Sequence, residues 1–184
     1  MPISFDTYAR VALEDDDALW ELVGGQLRQK PVMTVEHDGS YWNLAMLLSK
    51  QLDAQRYRVS QNGGRLRIAS GTYYLPDLCV IPVAVLHRLR RERPGELAVL
   101  DEPLPLVVEV WSPSTGDYDV EVKLREYQLR RDMEIWRLHP YERTLTIWRR
   151  QADGSYIETR YWGDAVVAPV ALPGVEIALA ALFE

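Results

Sequence analysis

At 184 residues, 47% of them apolar, the chain can bury one sizeable core and is too hydrophobic for a disordered segment. Its formal net charge of −6 excludes a protein that coats nucleic acid through overall basicity, although a carboxylate-lined metal site with local phosphate contacts stays compatible. A single cysteine, Cys79, excludes an internal disulfide framework and a cysteine-rich zinc site. Every apolar run falls short of the roughly 20 residues that span a bilayer, and the first residues lack a signal-peptide pattern, so the expected compartment is the cytoplasm.

In chain order, Phe5 to Val11 predicts a short helix capped by Ser4, followed by a solvated acidic turn from Glu14 to Asp17. Leu19–Val23 and Gln26–Arg28 read as strands around a tight Gly24-Gly25 hairpin. Tyr41 to Ala54 predicts a helix with Trp42, Ala45, Met46, Leu48 and Leu52 on its apolar face. Asn62-Gly63-Gly64, between Tyr57–Gln61 and Arg65–Ala69, predicts a second hairpin. Leu78–Ile81 is a buried strand ended by Pro82, and Val83 to Glu92 a helix with an arginine-rich outer face. Leu106 to Trp111 is apolar at both parities, as in a central strand covered on both sides. After a loop over 112–116, Asp119 to Arg131 is helical. Ile135–Leu138, Thr144–Arg149 and Tyr156–Tyr161 are strands, the last two joined around Asp153-Gly154. Leu172-Pro173-Gly174 to Phe183 gives a turn, a short strand and a final helical turn. The order mixes helices and hairpins around a central sheet, which predicts one α/β (α+β) layered domain.

Three residues break the pattern. Glu109 is the one charged member of its apolar run, and an unpartnered buried carboxylate costs several kcal/mol or shifts its pKa. It is either a cation ligand or a residue at the open end of a sheet. Asp77 opens the strand Leu78–Ile81 directly after Pro76; alone it reads as a turn residue. Paired with Glu109, it would offer the hard oxygen ligands that suit Mg2+ or Mn2+. Lys123 falls on the stripe of Val120, Leu124 and Tyr127, facing inward. Only three of the 21 basic residues are lysines (Lys30, Lys50 and Lys123), so an inward lysine is informative, with snorkelling as the plain alternative.

Other groups have structural explanations at hand. Arg88, Arg90, Arg91 and Arg93 could follow phosphates or form a solvated helix face. Trp148, Tyr156, Tyr161 and Trp162 fit core and edge packing better than base stacking, and an aromatic edge suits a homodimer. Ser112 and Ser114 have no histidine partner in a triad pattern, and Cys79 reads as an inert core residue.

The segments Pro76-Asp77, Val108-Glu109-Val110-Trp111-Ser112-Pro113-Ser114-Thr115 and Val122-Lys123-Leu124-Arg125-Glu126-Tyr127 resemble the Uma-two family of bacterial restriction endonucleases. Trp20 to Leu27, His37 and the ending Leu172-Pro173-Gly174-Val175 to Leu182-Phe183 extend the likeness over nearly the whole chain. The resemblance implies a PD-(D/E)XK nuclease core with Asp77 and Glu109 as the half-motif carboxylates. Trp111 stands where the general pattern has lysine, and Lys123 takes that role from the following helix. It further implies Mg2+ (or Mn2+) held by Asp77, Glu109 and the Val110 carbonyl, Glu21 as an additional acid, and phosphodiester hydrolysis in DNA. Tyr127 and His37 are expected to support the site, with His37 more at home on the surface near a helix start. A catalytically silent module binding nucleic acid or protein is the alternative. The inward lysine and the absence of a sugar-stacking signature make a glycosidase remote; such an enzyme would need no divalent ion.

Overall fold

The computed structural model describes residues 2–68, 71–114 and 116–184, apart from the side chains of 117–120. Helix α1 (Phe5–Glu14) begins where the Ser4 hydroxyl accepts the Thr7 amide hydrogen. Strands β1 (Trp20–Val23) and β2 (Gln26–Gln29) pair through Gly24 and Gly25, whose positive φ values of 57° and 78° are those of a tight hairpin turn. The chain continues through α2 (Val35–Gln51), β3 (Tyr57–Gln61), β4 (Arg65–Ile68), β5 (Thr72–Tyr74), β6 (Leu78–Pro82) and α3 (Val83–Glu92). Next come β7 (Val99–Leu100), β8 (Leu106–Val110), α4 (Gly116–Leu129), β9 (Glu134–His139), β10 (Thr144–Arg150) and β11 (Tyr156–Trp162). It closes with β12 (Val166–Val167), β13 (Ile177–Ala178) and a 3-10 turn, Leu179–Leu182.

The central sheet has the order β11-β10-β9-β8-β6-β3, with β8 and β9 parallel and the other neighbours antiparallel. A second, five-stranded sheet runs β2-β1-β5-β4-β7. The alternation of β8 divides the core. Leu106, Val108 and Val110 pack with Tyr41, Leu44, Ala45 and Leu48 of α2. Val107 faces the opposite cluster, with Leu66, Tyr74 and Tyr127. Glu109 shares the parity of Val107, so the strand aims its carboxylate at α4 and the second sheet.

The structure corrects three sequence expectations. Residues 62–64 do not close a hairpin: β3 pairs with β6 while β4 pairs with β5, so the chain crosses there from one sheet to the other. Gly64 makes the crossing possible. A Cβ on it would lie 2.9 Å from Leu100 Cδ1 and 3.2 Å from both Cys79 Sγ and Ile81 Cδ1. Gly64→Ala is expected to lower stability by about 1–3 kcal/mol through overpacking, read as a lower urea midpoint.

Second, α2 starts at Val35 on a Thr34 cap instead of at Tyr41. Its buried face runs through His37, Ser40, Tyr41, Leu44, Ala45 and Leu48, leaving Trp42 and Met46 exposed. Choosing Trp42 rather than Tyr41 as inward rotates the helix by one residue, about 100°. Third, the helix expected over 119–131 spans Gly116–Leu129. The expected strand end at Ala69, the loop residue Thr115 and the inward side chain of Val120 lie outside the described residues and side chains.

Candidate active site

Four segments bring three acids and one lysine to one cleft. Asp77 directly precedes β6, and the antiparallel register that pairs Leu78 with Val108 carries Asp77 toward Glu109 on β8. The Val110 amide donates to Asp77 Oδ2 at 2.8 Å, tying the two strand ends together. Glu21 comes from β1 in the second sheet and accepts the Leu75 amide hydrogen at 2.8 Å. Lys123, from α4, donates to Glu21 Oε1 at 2.8 Å and to Glu109 Oε1 at 3.2 Å, with its ammonium 5.2 Å from the Tyr74 ring centre. The Tyr127 hydroxyl donates to Glu109 Oε1 at 2.5 Å. Lys123 and Tyr127 thus both face the strand-end acids. All three carboxylates are buried.

His37 is the correction at the site. It is expected near the surface but is 4% exposed, and its Nε2 lies 3.3 Å from Asp77 Oδ2. Thr34 caps the helix early enough to place His37 in the first turn, facing the core. Lys30 is the residue that sequence reasoning missed. Its ammonium donates to Asp77 Oδ1 at 2.7 Å and to Asn62 Oδ1 and the Leu75 carbonyl at 2.8 Å each. The scarcity of lysine in an arginine-rich chain was its one available signal.

The arginines of α3 stand apart from this cleft, whose lining runs from Glu21 and Arg28–Met33 to His37, Asp77, Glu109, Val110, Ser112 and Lys123. Arg88 pairs with Glu102 at 2.6 Å, Arg88 and Arg91 both lie 3.9 Å from Glu92, and Arg90 and Arg93 share that helix end. Burial pushes the Cys79 thiol up to about 12, which makes it an inert core residue.

The electrostatics of the two central acids differ. Burial opposes the charge of Asp77, yet Lys30 and His37 outweigh it and hold the carboxyl well below the usual carboxylate range. Glu109 is raised: burial dominates, Lys123 only partly offsets it, and Asp77 and Glu21 add repulsion. Lys123 is itself raised, because Glu109 and Glu21 outweigh the cost of burying its charge. Burial, Glu109 and Glu21 keep the Tyr127 phenol protonated.

A proton on Glu109 therefore favours folding. That contribution is complete below the unfolded pKa near 4.5 and is lost as pH rises through the higher folded value. Glu109→Gln removes the loss. In EDTA at pH 7 the variant is expected to be about 0.5–2 kcal/mol more stable than wild type, read as a higher Tm. An unchanged or lower Tm would contradict the electrostatic strain at Glu109.

The same fold occurs in a crystal structure at 1.96 Å resolution of a protein from Anabaena variabilis ATCC 29413, described as a "putative nuclease belonging to DUF820". The match covers 99% of this chain and 98% of that one, with a TM-score of 0.77 and 21% identity. The two proteins thus share one mixed α/β fold. A family model, Uma2, described as "Putative restriction endonuclease", matches residues 5–180, and the chain belongs to that family. No curated protein sequence matches it. Among the described residues, no helix is long and apolar enough to cross a membrane.

Proposed function

We propose that this chain is a metal-dependent endonuclease that hydrolyses phosphodiester bonds in DNA. One observation carries the reading: buried Asp77, Glu109 and Glu21 and the part-buried Lys123, from four separate segments of a Uma2-family chain, meet in one cleft. The donor set suits Mg2+ or Mn2+, since its atoms are hard carboxylate oxygens. Among the described residues, no three His, Cys, Asp or Glu side chains form a ready-made metal cage. Asp77 and Glu109 would hold the ion with the Val110 carbonyl and water. The raised pKa of Glu109 fits this, because a cation there would relieve the repulsion that Asp77 and Glu21 impose.

When bound, the ion supplies Lewis-acid polarisation of the phosphoryl oxygen and acidifies water. The chain's residues supply the rest. Lys123 orients the attacking water and stabilises charge developing on the phosphate. Glu21 and Glu109 keep its ammonium in place, and Tyr127 fixes the Glu109 carboxylate. Lys30, His37 and the Val110 amide fix Asp77. The cleft's volume of about 50 Å³ takes a few waters but no nucleotide, so the substrate phosphate would bind at its mouth, beside exposed Arg28 and Val32. The arginines of α3 would contribute only remote contacts to DNA. The cytoplasm, and a homodimer along the β11 edge that light scattering would detect, belong to the same reading.

One observation favours the silent binding module: both Asp77 oxygens and Glu109 Oε1 already accept hydrogen bonds within the chain. Incubating supercoiled plasmid and single-stranded DNA with Mg2+, Mn2+ or EDTA separates the two. Metal-dependent cutting supports the nuclease, and DNA retention on a native gel without cutting supports the module.

A further inference from the structure

The Lys30 ammonium has three N–H donors, and each meets a protein oxygen at 2.7–2.8 Å: Asn62 Oδ1, the Leu75 carbonyl and Asp77 Oδ1. An amide oxygen, a main-chain carbonyl and a carboxylate make the hard-oxygen set that cation sites are built from. The fold fixes all three. The Asn62 amide donates to the Asp77 carbonyl at 3.0 Å, and Leu75 is held through its own amide by Glu21. Lys30 is equally fixed, since its amide donates to the Leu19 carbonyl at 2.7 Å and its side chain is 11% exposed.

We propose that Lys30 is a tethered cation occupying an oxygen site that would otherwise take a metal ion, so that the cleft loads one divalent ion and not two. This rests on the metal-dependent reading above. The charges agree with it. With the ion bound, the formal charges of Asp77, Glu109 and Glu21 sum to minus three, and Lys30 and Lys123 return two. A single divalent ion leaves one net positive charge, which a phosphodiester cancels. A second divalent ion would leave a strong positive excess in a buried site before any substrate arrived.

The test is calorimetric titration of the full chain with MnCl2, comparing wild type with Lys30→Met. Circular dichroism checks that both are folded. The expected result is one ion per chain in wild type and two in Lys30→Met, where the three oxygens have lost their cation. Should Lys30→Met fail to fold, Lys30→Ser, which leaves room for water beside the same oxygens, carries the same expectation. Two ions in wild type would overturn this inference and leave the metal reading standing. One ion in a folded Lys30 variant would also overturn it. No ion in wild type would remove the metal reading, and this inference with it.

Discussion

Lys123→Met is expected to lower the rate of metal-dependent DNA cleavage by about 10²–10³-fold while leaving the chain folded and able to bind a divalent ion. Methionine keeps the apolar stem of the side chain but loses the ammonium, which bridges Glu21 and Glu109 and lies over the Tyr74 ring. Both effects follow from that loss. In the proposed reaction a positioned charge that would face the phosphate is gone, and with it stabilisation realised in the transition state. Glu21 and Glu109 also lose a shared counter-ion, so the metal-free protein is destabilised and the divalent ion is held at least as tightly as in wild type. Lys123→Arg is not a rescue, because a planar guanidinium cannot replace a compact ammonium between two carboxylates. Single-turnover nicking of plasmid, with Mn2+ titration of the same preparation, reads both quantities. A rate within tenfold of wild type would remove Lys123 from the chemistry.

The second large effect concerns stability alone. Asp132 is fully buried, and its carboxylate accepts Arg130 Nε at 3.1 Å and the Leu104 amide at 2.7 Å. Arg130 also donates to the carbonyls of Arg67, Leu100 and Glu102, so one guanidinium ties the end of α4 to the second sheet and to the approach of β8. Burial raises the Asp132 pKa even with Arg130 beside it. Arg130→Ala would leave a buried carboxylate without its partner and three carbonyls without theirs. The expected cost is about 3–5 kcal/mol, measured by urea denaturation. Neither residue lines the acidic cleft, so cleavage per folded molecule should be unchanged. A cost below about 1 kcal/mol would show that water replaces the guanidinium.

Much of the site was legible because it violates local rules. A carboxylate inside an apolar strand, an acid opening a buried strand and a lysine on an apolar helix stripe are conflicts visible in one dimension. Their convergence follows from β8 lying beside β6, with Glu109 on the α4 side of the sheet. The central strand, the α3 helix and the β10–β11 hairpin were equally legible, each from a long pattern or a clear turn. Elsewhere, local signals were ambiguous. Asn62-Gly63-Gly64 has the composition of a hairpin turn, but the choice between pairing β3 with β4 or with β6 belongs to the tertiary structure. His37 reads as a surface residue near a helix start, and only the Thr34 cap sets the phase that buries it. Lys30 sits in a polar hairpin arm, and its three acceptors lie 32 to 47 residues away in sequence, so no local pattern reveals them. The two-residue strand β7 has no periodicity to read, and neighbouring chain creates it.

Glu109 is proposed to lie at a metal site that hydrolyses DNA. The most direct test is cleavage of supercoiled plasmid in Mg2+ by wild type and by Glu109→Ala, with EDTA as control. The expected result is nicking by wild type that EDTA abolishes and that falls to background in the variant. Equal nicking by both proteins, or nicking that persists in EDTA, would contradict it.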